Sequence, residues 1–426
     1  MKVRAVTAGV ALDAALDRNQ VQRAAAAARA VATAAGEAGL EVQTLRLTTP
    51  PLNTWGGDAG SAPGDLPGLA RAVEALATGA GFGYVALGAV DTATTAEAVW
   101  RPLLEALPEA VRRTENVFVS ASVATRAAGV NLAAARLAGE VVAQIAATTA
   151  DGFGNLRFAA LANCPAHIPF FPAAYHDGGG AVVVGLALEA ADLAVEAFDG
   201  ATDLTEAESR LVRAVVAAVR PLHETAARAA LDAGARFSGV DLSLAPFPAD
   251  DRSIAAAFER LGLPAFGASG TLFVASLLTG ALRRAAAALP GGPARTGFSG
   301  LMLPVLEDSV LAARAAAGTF GVDSLLLYSA VCGLGLDTVP VPGETTAAEL
   351  AAIVLDVAAL AVRLDKPLTA RLFPVPGKRA GDPVRWDFAF FAPSRVLPVR
   401  GFGLEGALAA SANYDPQSYL TGRGEP

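Results

Sequence analysis

Two cysteines in 426 residues, Cys164 and Cys332, stand far apart and in no CxxC pair. That excludes a disulfide framework and points to a reducing compartment, the cytoplasm. Histidine is nearly as scarce, with His167, His176 and His223 the full set. No HExxH occurs, because His223-Glu224 has no second histidine four residues on, so a histidine-based zinc centre has no ligands to draw on. Charge is short too: 17% of residues are charged, against about 25% in ordinary domains. The net charge of −8 comes with no basic stripe, which leaves nucleic-acid binding by counterion release little to work with.

Signature motifs are missing as well. No GxxxxGK followed by Ser or Thr exists, and PVPGKRAG around Lys378 lacks the hydroxyl. TGFSGL at Ser299 and GASGT at Ser269 both miss the GxSxG spacing of a nucleophile elbow. One GxGxxG, at Gly401, Gly403 and Gly406, lies too near the end for a βαβ unit and reads as a glycine-rich turn. The opening MKVRAVTAGVALD has too short an apolar run for a signal peptide. Mean hydropathy is +0.43, and residues 261–282 are uncharged. Pro264, Gly267 and Gly270 break that stretch, so it reads as strand, turn and helix and not as a membrane span.

What remains is abundant apolar material, 53% of the chain, in alternating strand-like and helix-like runs. VRAVTAGVAL, LEVQTLRLT, FGYVALGAV, ENVFVSASV, LRFAALANC and AVVVGLALE read as strands. Alanine-rich helices fall between them, at 18–38, 131–148 and 205–233, the last kinked by Pro221. Strand and loop follow in GARFSGVDLSLAP. Helices come next at 254–261 and 272–288, a strand at LMLPVLE, helices around Ala312 and over 347–362, and a β-like tail in RWDFAFFA and RVLPVRG. This rhythm implies an α/β fold with a largely parallel sheet, wound open or closed as a barrel. One large domain over residues 1–426 is expected, with a flexible tail after about 415. The apolar composition favours a homo-oligomer.

Five segments break the alanine background. In NCPAHIPFFPAAYHDGGG, Tyr175, His176 and Asp177 precede Gly178 and Gly179, whose amides can approach an anion, and His176 suits acid–base work near neutral pH. A turn in which His176 satisfies a backbone carbonyl explains the same pattern. Asp241 sits in an apolar strand, where a carboxylate is paired or used. Ser269, Gly270 and Thr271 lead into a helix, as an anion site or as plain capping. Glu307 and Asp308 follow an apolar run and read either as an acid–base or cation-binding pair or as helix N-terminal acids. Cys332, a candidate nucleophile or hydrogen donor, precedes a glycine turn and Asp337. Asn131, heading its helix, joins the ligand-binding set. No cofactor is called for, apart from a divalent cation that Asp241, Glu307 and Asp308 could hold.

Taken in order, VRAVTAGVALD, TRAAGVNLAAARLAGEVV, IPFFPAAYHDGG, GVDLSLAPFP, SGLMLPVLEDSVLAA and YSAVCGLGLDTVPVPGETT resemble the family named domain of unknown function 711, also called uncharacterised protein family 0210. The resemblance implies the fold of glycyl-radical enzymes related to pyruvate formate-lyase. That fold is a closed barrel of about ten strands, in two antiparallel five-stranded halves, with helices outside. It implies Cys332 as the counterpart of a thiyl-forming cysteine and Gly401 as the counterpart of the radical glycine. However, Val399-Arg400-Gly401-Phe402 departs from the radical signature, which runs Arg-Val, one residue, Gly, then an aromatic. The expectation is therefore a non-radical lyase or hydrolase acting on a small polar or anionic metabolite inside the barrel. His176 would be its acid or base, Asp241, Glu307, Asp308 and Cys332 further catalytic groups, and Asp337 a ligand-binding group. The alternative is a non-catalytic metabolite sensor on the same scaffold.

Overall fold

The apolar runs that alternate with alanine-rich stretches pair into a single sheet, because their β-branched and small residues suit a surface buried on both faces. The computed structural model describes residues 1–56, 64–289, 296–409, 413–414 and 416. Its strands are β1 (Lys2–Gly9), β2 (Leu45–Pro51), β3 (Tyr84–Gly88), β4 (Val90–Asp91), β5 (Val117–Thr125), β6 (Gly129–Asn131), β7 (Phe158–Ala162), β8 (Val183–Glu189), β9 (Arg236–Ala245), β10 (Gly335–Pro342) and β11 (Leu368–Val375). The order across the sheet is β10-β11-β7-β5-β3-β2-β1-β8-β9, with β4 and β6 attached to β5. The central β1, β2, β3, β5 and β7 run parallel to one another. The pairs β8–β9 and β10–β11 are each internally parallel and run against that centre.

The backbone ladder is not closed between the end strands β9 and β10 among the described residues. The segment from Phe298 to Val305 lies between them. The Asp241 carboxylate on β9 accepts hydrogen bonds from the amides of Phe298 (2.7 Å) and Ser299 (2.9 Å). On the other side the Gly333 amide donates to the Leu301 carbonyl (2.7 Å), the Val305 amide donates to the Asp337 carbonyl (3.1 Å), and Pro304 bridges Asp337 in parallel. The strand expected over LMLPVLE is thus reduced to one bridge. Pro304 has no N–H to give, and on the β9 side carboxylate and hydroxyl groups replace main-chain acceptors.

Helices cover one face of the sheet through a cluster of buried apolar residues that extends from Val3 to Leu397. Many of them are alanines, whose small side chains let helix and strand approach closely. The opposite, inner face is lined by small residues such as Ala5, Ala159 and Ala187, and the loop carrying Ile168, Phe170 and Ala173 fills the space they leave.

Several details depart from the sequence expectation. Leu204–Asp232 is one helix straight through Pro221. Glu97–Arg112 is a helix the sequence reading passed over, with Pro102 and Pro108 inside it; burial of Trp100, Leu103, Leu104 and Leu107 outweighs the lost hydrogen bonds. The 261–282 stretch forms turns up to Gly270 and then the helix Thr271–Ala287, with no strand before it. Among the described residues no helix is long and apolar enough to cross a membrane. RWDFAFFA is not a strand; only Pro383–Val384 and Ser394–Arg395 pair, and the aromatic residues between them pack together. Apart from residue 416, the tail expected after about 415 lies outside the described residues.

Candidate ligand-binding site

A cavity of about 90 Å³, taken as the volume open to the centre of a water-sized sphere, lies on the inner face of the sheet. Its charged lining comes from Arg4 on β1, Arg46 on β2, Glu307, Asp337 on β10 and Arg371 on β11. Tyr84, Phe118, Phe171 and Phe298 supply apolar walls, and Phe388 and Phe390 reach it from the aromatic turn near the C-terminus. Arg4, Arg46, Tyr84 and Phe118 all sit near the N-terminal ends of their strands, whereas open α/β sheets usually place sites at the C-terminal ends.

Local geometry explains how a charged residue in an apolar strand reaches this cavity. The β1–β8 register slips between Val3 and Ala5. Such a slip turns side chains that strict alternation would send outward. Val3 and Val6 therefore pack in the helix-facing cluster, Ala5 in the inner one, and Arg4 lines the cavity.

The buried charges form an alternating chain. Arg252 binds Glu189 (3.0 Å), which lies 3.6 Å from Arg4. Arg4 pairs with one oxygen of Glu307, and Arg371 pairs with the other (2.8 Å). Arg371 also pairs with Asp337 through Nε. Three arginines and three carboxylates thus neutralise one another, as buried charges must. Burial pushes the Asp337 carboxyl above its ordinary range, and the Arg371 charge opposes that shift. The Asp337 Oδ2 atom accepts no hydrogen bond among the described residues.

Arg46 stands outside this balance. Its Nε donates to Thr44 Oγ1 (3.0 Å), and its guanidinium lies over Tyr84 (5.6 Å) and Phe171 (5.2 Å). No carboxylate is within ion-pair distance of it among the described residues. Burial first, and then Arg4, pull its pKa down to about 9, so it keeps its charge at neutral pH. An unpaired cation against aromatic faces, with part of its surface on a cavity, is an arrangement suited to an anion.

Of the residues singled out from sequence, Glu307 and Asp337 come together in this cavity, and the others do not. His176 is fully buried, its Nε2 3.1 Å from the Ala181 carbonyl and its Nδ1 accepting from the Gly178 amide (3.1 Å). Burial lowers its pKa, so the ring is neutral and serves its turn. Tyr175 donates to the Cys164 carbonyl (2.9 Å). Asp177 accepts from the Gly179 amide and meets His167 (2.9 Å), and the His167 side chain holds its pKa down at about 2. Asp241 also accepts from the Ser243 amide and hydroxyl, and burial pushes it up to about 6. Asp308 caps two helices at once, accepting from Leu311 (2.9 Å) and Ile254 (2.7 Å), and burial pushes it up to about 6 as well. Ser269 and Gly270 are exposed, and Thr271 bonds within its own turn. Asn131 caps its helix through the Ala134 amide (3.0 Å). Asp241, Glu307 and Asp308 therefore serve three different places, and no group of three or more His, Cys, Asp or Glu side chains able to hold a metal occurs among the described residues.

Cys332 is buried and accepts from the Gly335 amide (3.4 Å), while its carbonyl is held by Lys366. Gly401 lies against Glu349, at the start of the helix Ala347–Leu364, and Lys366 lies just past that helix's end. The two positions thus lie against residues at opposite ends of that helix.

Sequence reading missed Arg4, Arg46 and Arg371. The available signal was a lone arginine inside each of three apolar strands, in VRAVTAG, LRLTT and LTARLF. It also took His176 as the centre of the 163–181 segment, whereas Phe170, Phe171, Pro172 and Ala173 are the residues that segment contributes to the cavity.

Fold and site define an α/β protein whose sheet holds a charged, aromatic-walled cavity on the face away from its helices. The chain belongs to the family described as Uncharacterised ACR (DUF711), whose model matches residues 1–387. It is similar to the UPF0210 protein of Pyrobaculum islandicum, 34% identical over 83% of this chain and 78% of that one. The UPF0210 protein of Oleidesulfovibrio alaskensis is 32% identical over 95% of this chain and 91% of its own length.

Proposed function

We propose that the protein is a non-radical enzyme of the lyase or hydrolase type that acts on a small anion held by Arg46. The carrying observation is the half-buried guanidinium on the cavity wall, which has no carboxylate partner among the described residues. Asp337 is the proton-exchanging group. Its Oδ2 has no protein donor, and burial favours its protonated form at higher pH than usual. Glu307, held by two arginines, fixes their positions. The cavity lining holds no serine, cysteine, lysine or histidine among the described residues, which favours proton transfer over a covalent intermediate. The placement of Gly401 and Cys332 against opposite ends of the helix Ala347–Leu364 supports a non-radical reaction.

We also read the sheet as closing into a barrel of about ten strands. The segment from Phe298 to Val305 would stand as the tenth, completing with β8, β9, β10 and β11 one parallel half that runs against the other. The bonds from that segment to both β9 and β10 support this reading. A second functional reading, a metabolite sensor without turnover, is favoured by the pairing of both cavity carboxylates with arginine. Thermal-shift screening of metabolite anions, followed by product analysis by mass spectrometry, separates the two. Turnover abolished by Asp337→Asn supports the enzyme, and stabilisation without product supports the sensor. Anions that leave the melting temperature unmoved would overturn both. The homo-oligomer expected from composition belongs to this proposal, and sedimentation of the full chain tests it.

A further inference from the structure

The identity of the anion is constrained by charge, size and wall chemistry together. With Asp337 in its carboxylate form the six-membered ion chain is internally neutral, so the cavity then carries the single uncompensated charge of Arg46. One negative charge on the ligand restores balance, and a second would be buried unpaired. No glycine and no lysine lines the cavity among the described residues, so the usual backbone cradle and point charge for a phosphate are missing. The guanidinium is planar and flanked by the Tyr84 and Phe171 rings, and its two terminal nitrogens carry no protein partner among the described residues. That fork matches a planar carboxylate. Beside the mutually paired charges of the ion chain, Phe118, Phe298, Met302 and Leu334 supply hydrocarbon walls. Benzene, with six heavy atoms, occupies cavities of about 150 Å³, so the 90 Å³ here suits roughly four, the carbons of a short acid whose carboxylate oxygens sit on half-buried Arg46.

We infer that the ligand is a short monocarboxylate with an apolar, uncharged tail, its carboxylate on Arg46 and its tail against the aromatic walls. This rests on the cavity being the anion site proposed above, and names what that anion is. The neutral amide of such an acid has the shape without the charge, and phosphate and succinate have more charge without the fit.

Calorimetric titration of the full chain with isobutyrate, isobutyramide, inorganic phosphate and succinate tests this. Isobutyrate should bind at least tenfold more tightly than each of the other three. Arg46→Gln should weaken isobutyrate at least tenfold, and Arg46→Lys, which keeps the charge and loses the fork, should weaken it less. Circular dichroism of each variant establishes that it is folded. If phosphate or succinate binds more tightly than isobutyrate and Arg46→Gln removes that binding, the monocarboxylate inference fails while the anion site stands. If no probe binds, or binding ignores Arg46→Gln, both fail.

Discussion

Replacing Arg46 by methionine should make the protein more stable and unable to hold its ligand. The pKa of Arg46 falls from 12.5 to about 9 on folding. That corresponds to about 5 kcal/mol against the charged form, taken at about 1.4 kcal/mol per pKa unit. Methionine forfeits the bond to Thr44, worth about 1 kcal/mol, and two cation–aromatic contacts at about 0.5–1 kcal/mol each. It recovers part of the latter through sulfur–ring packing. The net gain is about 2–3 kcal/mol. An unfolding entropy of about 2.1 cal/mol/K per residue gives roughly 0.9 kcal/mol/K for a chain of this length, so the melting temperature should rise by about 2–3 °C. Scanning calorimetry at pH 7 in a zwitterionic buffer, with and without isobutyrate, measures both effects. Added isobutyrate should raise the melting temperature of the wild type and leave that of R46M unmoved. A melting temperature for R46M more than about 2 °C below the wild type would refute the reasoning, because Arg46 would then be satisfied within the protein.

Glu307→Gln leaves two buried arginines sharing a neutral partner and should cost about 3–5 kcal/mol, seen as a melting temperature lower by about 3–6 °C; a shift under 1 °C would mean that the bridge carries little energy. Asp241 and Asp308, pushed up from 3.8 to about 6, hold their protons more tightly folded than unfolded. Their contribution is fully present below pH 4 and is lost as the pH rises towards 6, so the urea midpoint should fall across that window; Asp308→Asn should flatten the fall, and an unchanged profile would count against a raised Asp308. Gly297 has φ +67°, and an added Cβ would lie 1.9 Å from Asp241 Oδ2. Gly297→Ala should therefore detach the Phe298–Val305 segment from β9, lowering the melting temperature and exposing the Phe298 amide to hydrogen exchange; wild-type protection there would contradict the clamp.

The alternation of strands and helices was legible because local period and composition determine it. VRAVTAG, LRLTT, VFVSASVAT and RFSGVDLSLA are all strands, and the alanine tracts at 18–37 and 347–364 are helices. The helix Glu97–Arg112 was not legible, because its prolines are breakers locally and only the buried Trp100 and its apolar neighbours outweigh them. The run from Leu301 to Glu307 has the composition of a strand and lacks a ladder, because its partner on one side is the Asp241 carboxylate, a contact across nearly sixty positions that no periodicity records.

The candidate site divides the same way. Sequence alone was enough to mark Glu307 and Asp337 as acids in apolar surroundings, and it also marked Asp241, Asp308 and His176, which the fold uses to clamp a segment, cap two helices and close a turn. In each case the chain announces a polar group that must be satisfied, but not by what. Burial makes every such group costly alone, so identity and position suffice to raise the question. Only tertiary structure decided which groups satisfy one another, leaving six charges balanced among themselves and Arg46 without a carboxylate. That arithmetic depends on distances between β1, β2, β10 and β11, which are remote in sequence and become neighbours only across the folded sheet.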